Sequence, residues 1–382
     1  EKLLLKCKSL QITYASLNSI ETTLNSFDNI TTLNLSNNNI TINVNILSKF
    51  SNCTHIDLSN NNIRGSLPPL NDFSDLIIFR INNNNITGSL PLLNNKLQII
   101  NLSHNSLEGN IKNISNCVNL TYINLSYNNF NTFSDDNIDP FKNLSSLDSL
   151  YLNNNKFSDS LLSKFPHIFN ITSLDTIDLS HNQFIEELPD FPKDNYEIIY
   201  LDISNNKFQG KLPKSISKLK NLKYIDLSNN FFEETINPLL FSLPDIYHID
   251  LSNNLFESDI HFNYSTKIKY LDLSNNFFYG NIPTNTIGNV NKYNFSTLKL
   301  YHNQLTGSVP YFFFVKLATQ NTSISTFDDI VIQYSQNSKN IISNMKNTVV
   351  NDSSLNSYIP DNNINLTTDS DCEILVYLYL LT

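Results

Sequence analysis

One motif, L-x-L-x-x-N-x-(L/I/F), recurs in phase through most of this chain, and a short recurring unit of that kind excludes most globular folds at once. Its asparagine falls at Asn38, Asn61, Asn84, Asn105, Asn128, Asn155, Asn182, Asn206, Asn230, Asn254, Asn276 and Asn303, twelve units spaced 21 to 27 residues apart. A unit so short cannot enclose a core alone, so each must bury its apolar side against the next. An earlier unit at Leu10, Ile12 and Leu17 has Ala15 where the asparagine belongs, as an N-terminal cap does. After Asn303 the pattern decays: Phe327, Ile330 and Ile332 make at most one degenerate unit, and the rest does not repeat. The chain therefore divides into residues 1–25, a capping repeat, 26–310, twelve repeats, and 311–382, a C-terminal cap and non-repeating tail.

In L-x-L the two apolar side chains point the same way along a short strand while the residue between them points out. Successive strands then stack as a parallel sheet about 4.8 Å apart. The rest of each unit returns across the opposite side, and the asparagine turns the corner, where its amide can satisfy backbone groups that would otherwise be buried without partners. Phe130, Phe157, Phe184, Phe208, Phe232, Phe256 and Phe278 recur at one phase and are predicted to stack inward as a spine. With 65 Asn, 69 Ser plus Thr and only 16% charged residues the chain is polar enough to be disordered, but its 40% apolar residues fall at a fixed spacing, the mark of a core built by repetition.

This pattern resembles the leucine-rich-repeat family, and the x-G-x-(I/L)-P element after the strand resembles its plant-type extracellular subclass. The residues that carry it are Gly65-Ser66-Leu67-Pro68, Gly88-Ser89-Leu90-Pro91, Gly210-Lys211-Leu212-Pro213, Gly280-Asn281-Ile282-Pro283 and Gly307-Ser308-Val309-Pro310. Other repeats lose the glycine, as at Glu187-Leu188-Pro189, or the whole element, as around Asn155. The resemblance covers roughly residues 1–335 and implies an α/β-type repeat solenoid, a right-handed horseshoe or superhelix with one parallel concave β-sheet. It implies an extracellular, secreted or cell-surface protein, and it fixes fold more tightly than function, since the family includes receptors, inhibitors, adhesins and matrix proteins.

Catalytic signatures are missing: there is no G-x-S-x-G, H-E-x-x-H, G-x-x-x-x-G-K-(S/T), G-x-G-x-x-G or C-x-x-C, so neither an enzyme nor a cofactor or metal site is expected. A net charge of −10 with 25 scattered Lys and Arg argues against nucleic acid as a partner. No stretch approaches the roughly 18 apolar residues that cross a bilayer, and the opening Glu1-Lys2-Leu3 has no leader pattern, as in an already processed chain. Cys53 and Cys117 sit three rungs apart and Cys7 and Cys53 two, near 10 Å at sheet spacing against the roughly 7 Å that a disulfide permits. Buried thiols acting as small apolar fillers are the expectation for Cys53 and Cys117.

Sixteen N-x-(S/T) sequons begin at Asn29, Asn34, Asn39, Asn52, Asn85, Asn101, Asn113, Asn119, Asn124, Asn143, Asn170, Asn263, Asn294, Asn321, Asn351 and Asn365. Chance alone would give about 12 in so Asn-rich a chain, so distribution says more than number. Eleven precede residue 171, none lies between 171 and 262, and none of the twelve corner asparagines is in a sequon. N-linked glycans are expected on most of them; those at Asn34, Asn101 and Asn124, the outward position of L-x-L, would stand on the sheet face.

That outward column reads Asn34, Asp57, Arg80, Asn101 and Asn124 in the early repeats and Asp178, Asp202, Asp226, Asp250 and Asp272 later. Beside the five Asp stand Thr176, Tyr200, Tyr224, His248 and Tyr270. A stacked Asp and Tyr face in a sequon-free window is a candidate ligand surface, because Tyr offers rigid amphipathic area and Asp fixes a charge preference; equally, an acidic column can simply keep the sheet solvated. Two functions follow. In one the protein is a structural glycoprotein that joins copies of itself head to tail: Tyr311-Phe312-Phe313-Phe314-Val315 and the run Ile374, Leu375, Val376, Tyr377, Leu378, Tyr379, Leu380, Leu381 are too apolar for water, and Cys7 and Cys372 could link two molecules. In the other it is a recognition or adhesion module binding an extracellular protein, peptide or polysaccharide on its Asp178 to Asp272 face.

Overall fold

The computed structural model describes residues 9–13, 30–136, 138–159, 161–164, 166–191, 197–260, 263–281, 297–300 and 302–306. Cys7, Cys372, the apolar runs 311–315 and 374–381, and the sequon asparagines Asn29, Asn294, Asn321, Asn351 and Asn365 lie outside the described residues. The chain forms two compact units, Glu1–Lys207 and Phe208–Thr382.

The first unit carries one parallel sheet of nine three-residue strands in chain order: Ser9–Gln11, Thr32–Asn34, His55–Asp57, Ile78–Arg80, Ile99–Asn101, Tyr122–Asn124, Ser149–Tyr151, Thr176–Asp178 and Tyr200–Asp202. Motif positions pair with like positions, as in His55↔Ile78, Ile56↔Phe79 and Asp57↔Arg80. From Leu33 onward the middle residue of each strand is buried and its two neighbours face the other way. The second unit repeats the arrangement with Tyr224–Asp226, His248–Asp250, Tyr270–Asp272 and Thr297–Lys299.

The corner asparagine is a four-contact clamp, complete at Asn61, Asn84, Asn105, Asn128, Asn155, Asn182, Asn206, Asn254 and Asn276. At Asn182 the amide Nδ2 donates to the carbonyls of Leu152 on the rung before (3.0 Å), and of Leu179 and Ser180 on its own rung (3.1 Å each), while Oδ1 accepts the Phe157 N–H at 3.1 Å. The same set recurs in the second unit at Asn254, which binds Leu227, Leu251 and Ser252 carbonyls and the Phe232 N–H. Only a side chain with a donor and an acceptor on one planar group can do both, so neither Asp nor Leu fits. The residue before each clamp is left-handed, with φ between 52° and 58°, and is Asn in eight rungs, His in three and Tyr in one. Asn tolerates that region better than most residues, which explains part of the chain's Asn content.

The return segments begin with short strands that pair parallel in smaller sheets, such as Arg64–Ser66, Asn85–Ser89, Ser106–Asn110 and Asn129–Thr132, and their helical turns are mostly 3-10 rather than α: Val44–Phe50, Leu70–Asp72, Lys112–Ile114 and Pro166–Asn170 in the first unit, Lys214–Lys218 and Pro238–Ser242 in the second. Leu161–Lys164 is the one α-helical turn among the described residues. A 3-10 turn rises about 2.0 Å per residue, so it spans a short return in fewer residues than an α-helix. Gly65 begins the plant-type element with φ 104°, and a Cβ there would stand 2.9 Å from Asn43 Oδ1, so glycine is required twice over.

The phenylalanine spine lies inside, all seven rings at 0% exposure. Within the first unit Phe130–Phe157 and Phe157–Phe184 centroids are 6.5 and 6.2 Å apart. Within the second, Phe208–Phe232, Phe232–Phe256 and Phe256–Phe278 are 6.0, 6.0 and 6.2 Å apart. Cys53 and Cys117 are buried free thiols donating to the Ile30 and Asn94 carbonyls, and burial pushes both up to about 12.

Candidate ligand-binding face

The outward residues of the second unit form two parallel columns. Register pairs Tyr224↔His248, His248↔Tyr270 and Tyr270↔Thr297 in one, and Asp226↔Asp250, Asp250↔Asp272 and Asp272↔Lys299 in the other. Because strand spacing is close to aromatic stacking distance, the rings lie face to face: Tyr224 on His248 at 4.1 Å and His248 on Tyr270 at 4.2 Å. Lys299 closes the stack, its Nζ 5.5 Å over the Tyr270 ring, 3.3 Å from Asp272 Oδ2 and donating to the Tyr270 hydroxyl at 3.3 Å. The Tyr270 hydroxyl in turn donates to Asp250 Oδ2 and Asp272 Oδ2 at 3.2 and 3.4 Å.

The acidic column has a role that neither sequence reading contained. Each Asp turns one oxygen back to hold the start of the corner: Asp226 Oδ1 accepts the Ser228 N–H at 2.9 Å, and Asp250 and Asp272 accept both the N–H and the hydroxyl of Ser252 and Ser274. In the first unit Asp57 and Asp178 do the same with Ser59 and Ser180, and Asn34, Asn101 and Asn124 with Ser36, Ser103 and Ser126. The column is thus not simply a solvated charge row; Asp250 and Asp272 retain only 9% and 3% exposure. Their second oxygens are engaged as well, by the Tyr270 hydroxyl and, at Asp272, by Lys299.

Burial sets the charge states. It is the main cause that raises Asp250, with the Asp272 charge adding to it, and it raises Tyr270. It lowers His248 to about 4, so that imidazole is neutral at pH 7. In the first unit Tyr200 donates to Asp202 Oδ2 at 3.4 Å, and Asp178 is raised to about 6 by burial first and by Asp202 second. Thr176 takes the ring position beside Asp178, so the first unit presents one ring, Tyr200, beside its two late Asp.

Among described sequons, Asn39, Asn52, Asn85, Asn119, Asn143, Asn170 and Asn263 are exposed, while Asn34, Asn101, Asn113 and Asn124 are half-buried. Lys299 escaped the sequence reading, although it sits in the phase that follows Asp272 and counting one further rung would have reached it. No helix among the described residues is long and apolar enough to cross a membrane.

A parallel-strand solenoid with an asparagine ladder and a side-chain-lined sheet face is the architecture of a repeat protein that presents a surface. The chain carries leucine-rich repeats: a leucine rich repeat model matches residues 172–232, and a second matches 29–53, 52–72, 119–144 and 267–289. No curated protein matches it in sequence. Among solved structures it is similar to a plant peptide hormone receptor, RGFR1, solved with RGF2, at 26% identity and TM-score 0.66, over 80% of this chain and 53% of that one. It is similar to a TDR receptor at 23% identity and TM-score 0.69, over 81% and 58%. A Leptospira interrogans LRR protein aligns at 22% identity and TM-score 0.59, over 82% and 89%. The chain spans little more than half the length of the two receptor chains.

Proposed function

We propose that this protein is a non-catalytic extracellular recognition module whose second-unit sheet face binds a cationic peptide or protein segment. The observation that carries the reading is the seat of Lys299: an ammonium already lies in the column, against Asp272, the Tyr270 hydroxyl and the Tyr270 ring. A ligand Lys or Arg set beside an earlier rung would meet the Asp226 and Asp250 carboxylates and the edges, not the faces, of the stacked rings. The similarity to a plant peptide hormone receptor, RGFR1, solved in complex with RGF2 supports both the class of ligand and the setting. The head-to-tail filament drawn from the sequence rests on Cys7, Cys372 and residues 374–381, which are outside the described residues, and the comparisons favour recognition over it.

The test is selection from a random peptide library on the immobilised chain, in buffer containing EDTA. Enrichment of Lys and Arg, affinity that falls with salt, and loss of binding in Asp226→Asn/Asp250→Asn/Asp272→Asn are expected. Asn keeps the acceptor that holds the corner, as Asn124 does natively, so the triple variant removes charge without removing the fold. Selection without a cationic bias, or binding indifferent to the triple variant, refutes the reading.

A further inference from the structure

The tripeptide His-Ile-Asp forms a strand twice, at His55–Asp57 and His248–Asp250, and the two copies have different neighbours. Asp57 pairs with Asn34 and Arg80, whereas Asp250 pairs with Asp226 and Asp272. As a result His248, Asp226 and Asp250 each offer one ligand atom, and the three atoms lie within 4.8 Å of one another. Both faces of the His248 ring are covered, by Tyr224 and Tyr270, so only its in-plane nitrogens remain to interact. That is the direction in which imidazole ligates a metal. Neither ring nitrogen hydrogen-bonds a protein group among the described residues, unlike His55, whose Nδ1 lies 2.8 Å from the Thr54 hydroxyl. Asp226 and Asp250 are each pinned through Oδ1 by the serine two residues on, which fixes the carboxylates in register.

We propose that Asp226, His248 and Asp250 bind a divalent transition-metal ion of the zinc class, with at least one coordination position left for water or a ligand atom. One imidazole and two carboxylates are a borderline donor set; it suits zinc, cobalt or nickel and disfavours calcium, which takes six to eight oxygens. Bonds of about 2.0–2.2 Å place tetrahedral ligand atoms about 3.4 Å apart, so the three atoms, now within 4.8 Å of one another, close by about an ångström on binding. The ion also relieves the crowding of like charges along the column, a task that Lys299 performs at the Asp272 end. This inference concerns the ion alone and does not depend on the cationic partner proposed above.

The test uses the full chain, stripped with EDTA and dialysed free of it, titrated with zinc chloride by calorimetry and with cobalt chloride by visible absorption. One saturable site with a cobalt ligand-field band is expected. His248→Phe keeps a ring between the two tyrosines but has no donor, and Asp226→Asn keeps the Ser228 bond; each is expected to weaken zinc binding by roughly tenfold or more. His55→Phe is expected to change nothing. Absence of a saturable site in the native chain, equal affinity in His248→Phe, or an equal loss in His55→Phe overturns the proposal. Should His248→Phe lose its native circular dichroism, Asp226→Asn decides alone. Because the peptide selection runs in EDTA, the two readings fail separately.

Discussion

Replacing Asn182 by Ala removes four hydrogen bonds at once, three given by Nδ2 and one received by Oδ1, all between 3.0 and 3.1 Å. The two Nδ2 protons share three acceptors, so at a net value of about 1 kcal/mol for each proton and for the Oδ1 bond the loss is about 3 kcal/mol, a large part of the roughly 5–15 kcal/mol that holds a domain folded. Asn182→Asp is the sharper variant. It keeps the acceptor for the Phe157 N–H but turns a carboxylate oxygen toward the Leu152, Leu179 and Ser180 carbonyls, so it is expected to cost at least as much as Ala despite being nearly isosteric. His181→Asn, one residue earlier at φ 52°, is the control: eight of the twelve rungs already have Asn there, and a change within about 0.5 kcal/mol is expected. Urea denaturation followed by far-ultraviolet circular dichroism gives the energies, and hydrogen exchange at the Phe157 amide shows whether the lost bond is the local one. If Asn182→Ala costs under about 1 kcal/mol, or Asn182→Asp is as stable as native, the clamp is not what holds the rungs together.

Phe208→Ala, in the second-unit spine, is expected to cost about 3–5 kcal/mol in the same denaturation assay, and a loss below about 1 kcal/mol would contradict its burial. Asp178 binds its proton more tightly folded than unfolded, because burial raises it from 3.8 to about 6, so its stabilising contribution is complete below pH 4 and disappears as pH rises through 6. The melting temperature should therefore fall across that window in the native chain and fall less in Asp178→Asn; identical profiles refute the assignment. Cys53 and Cys117, buried and pushed up to about 12, should resist iodoacetamide at pH 8 until the chain is unfolded, and rapid native labelling would contradict their placement. Glycopeptide mass spectrometry of secreted material is expected to find carbohydrate at exposed Asn52, Asn85, Asn143 and Asn170, and bare asparagines there would remove the argument for a shielded extracellular surface.

The rungs, the asparagine corners and the phenylalanine spine were legible because each repeats at one phase, so that twelve copies report a single environment. The return segments were less so: 3-10 turns such as Val44–Phe50 and Pro238–Ser242 differ in length and composition, and no period marks them. On the face, only the register is legible in the sequence. Stacking of Tyr224, His248 and Tyr270 follows from register alone, but the second use of the Asp column, holding the serine two residues on, depends on a turn that alternation cannot reveal.

That double use explains how one fold carries two kinds of face. Asn124 and Asp226 occupy the same motif position and accept the same backbone bond, at 3.0 and 2.9 Å, so exchanging one for the other leaves the corner intact and alters only the charge on the outward oxygen or amide. Ring positions are equally free, since Tyr122, Thr176, Tyr224 and His248 all sit beside a column residue without entering the core. The inward leucines, the corner asparagines and the serine bonds therefore fix the solenoid, while two residues per rung set its chemistry. In the second unit those two have been chosen together on three successive rungs, ring beside carboxylate, ending on a lysine that satisfies both columns. A face needed only for solubility has no use for rings stacked at 4.1 and 4.2 Å, because mixed charge would keep it solvated without burying carboxylates at a cost to their ionisation.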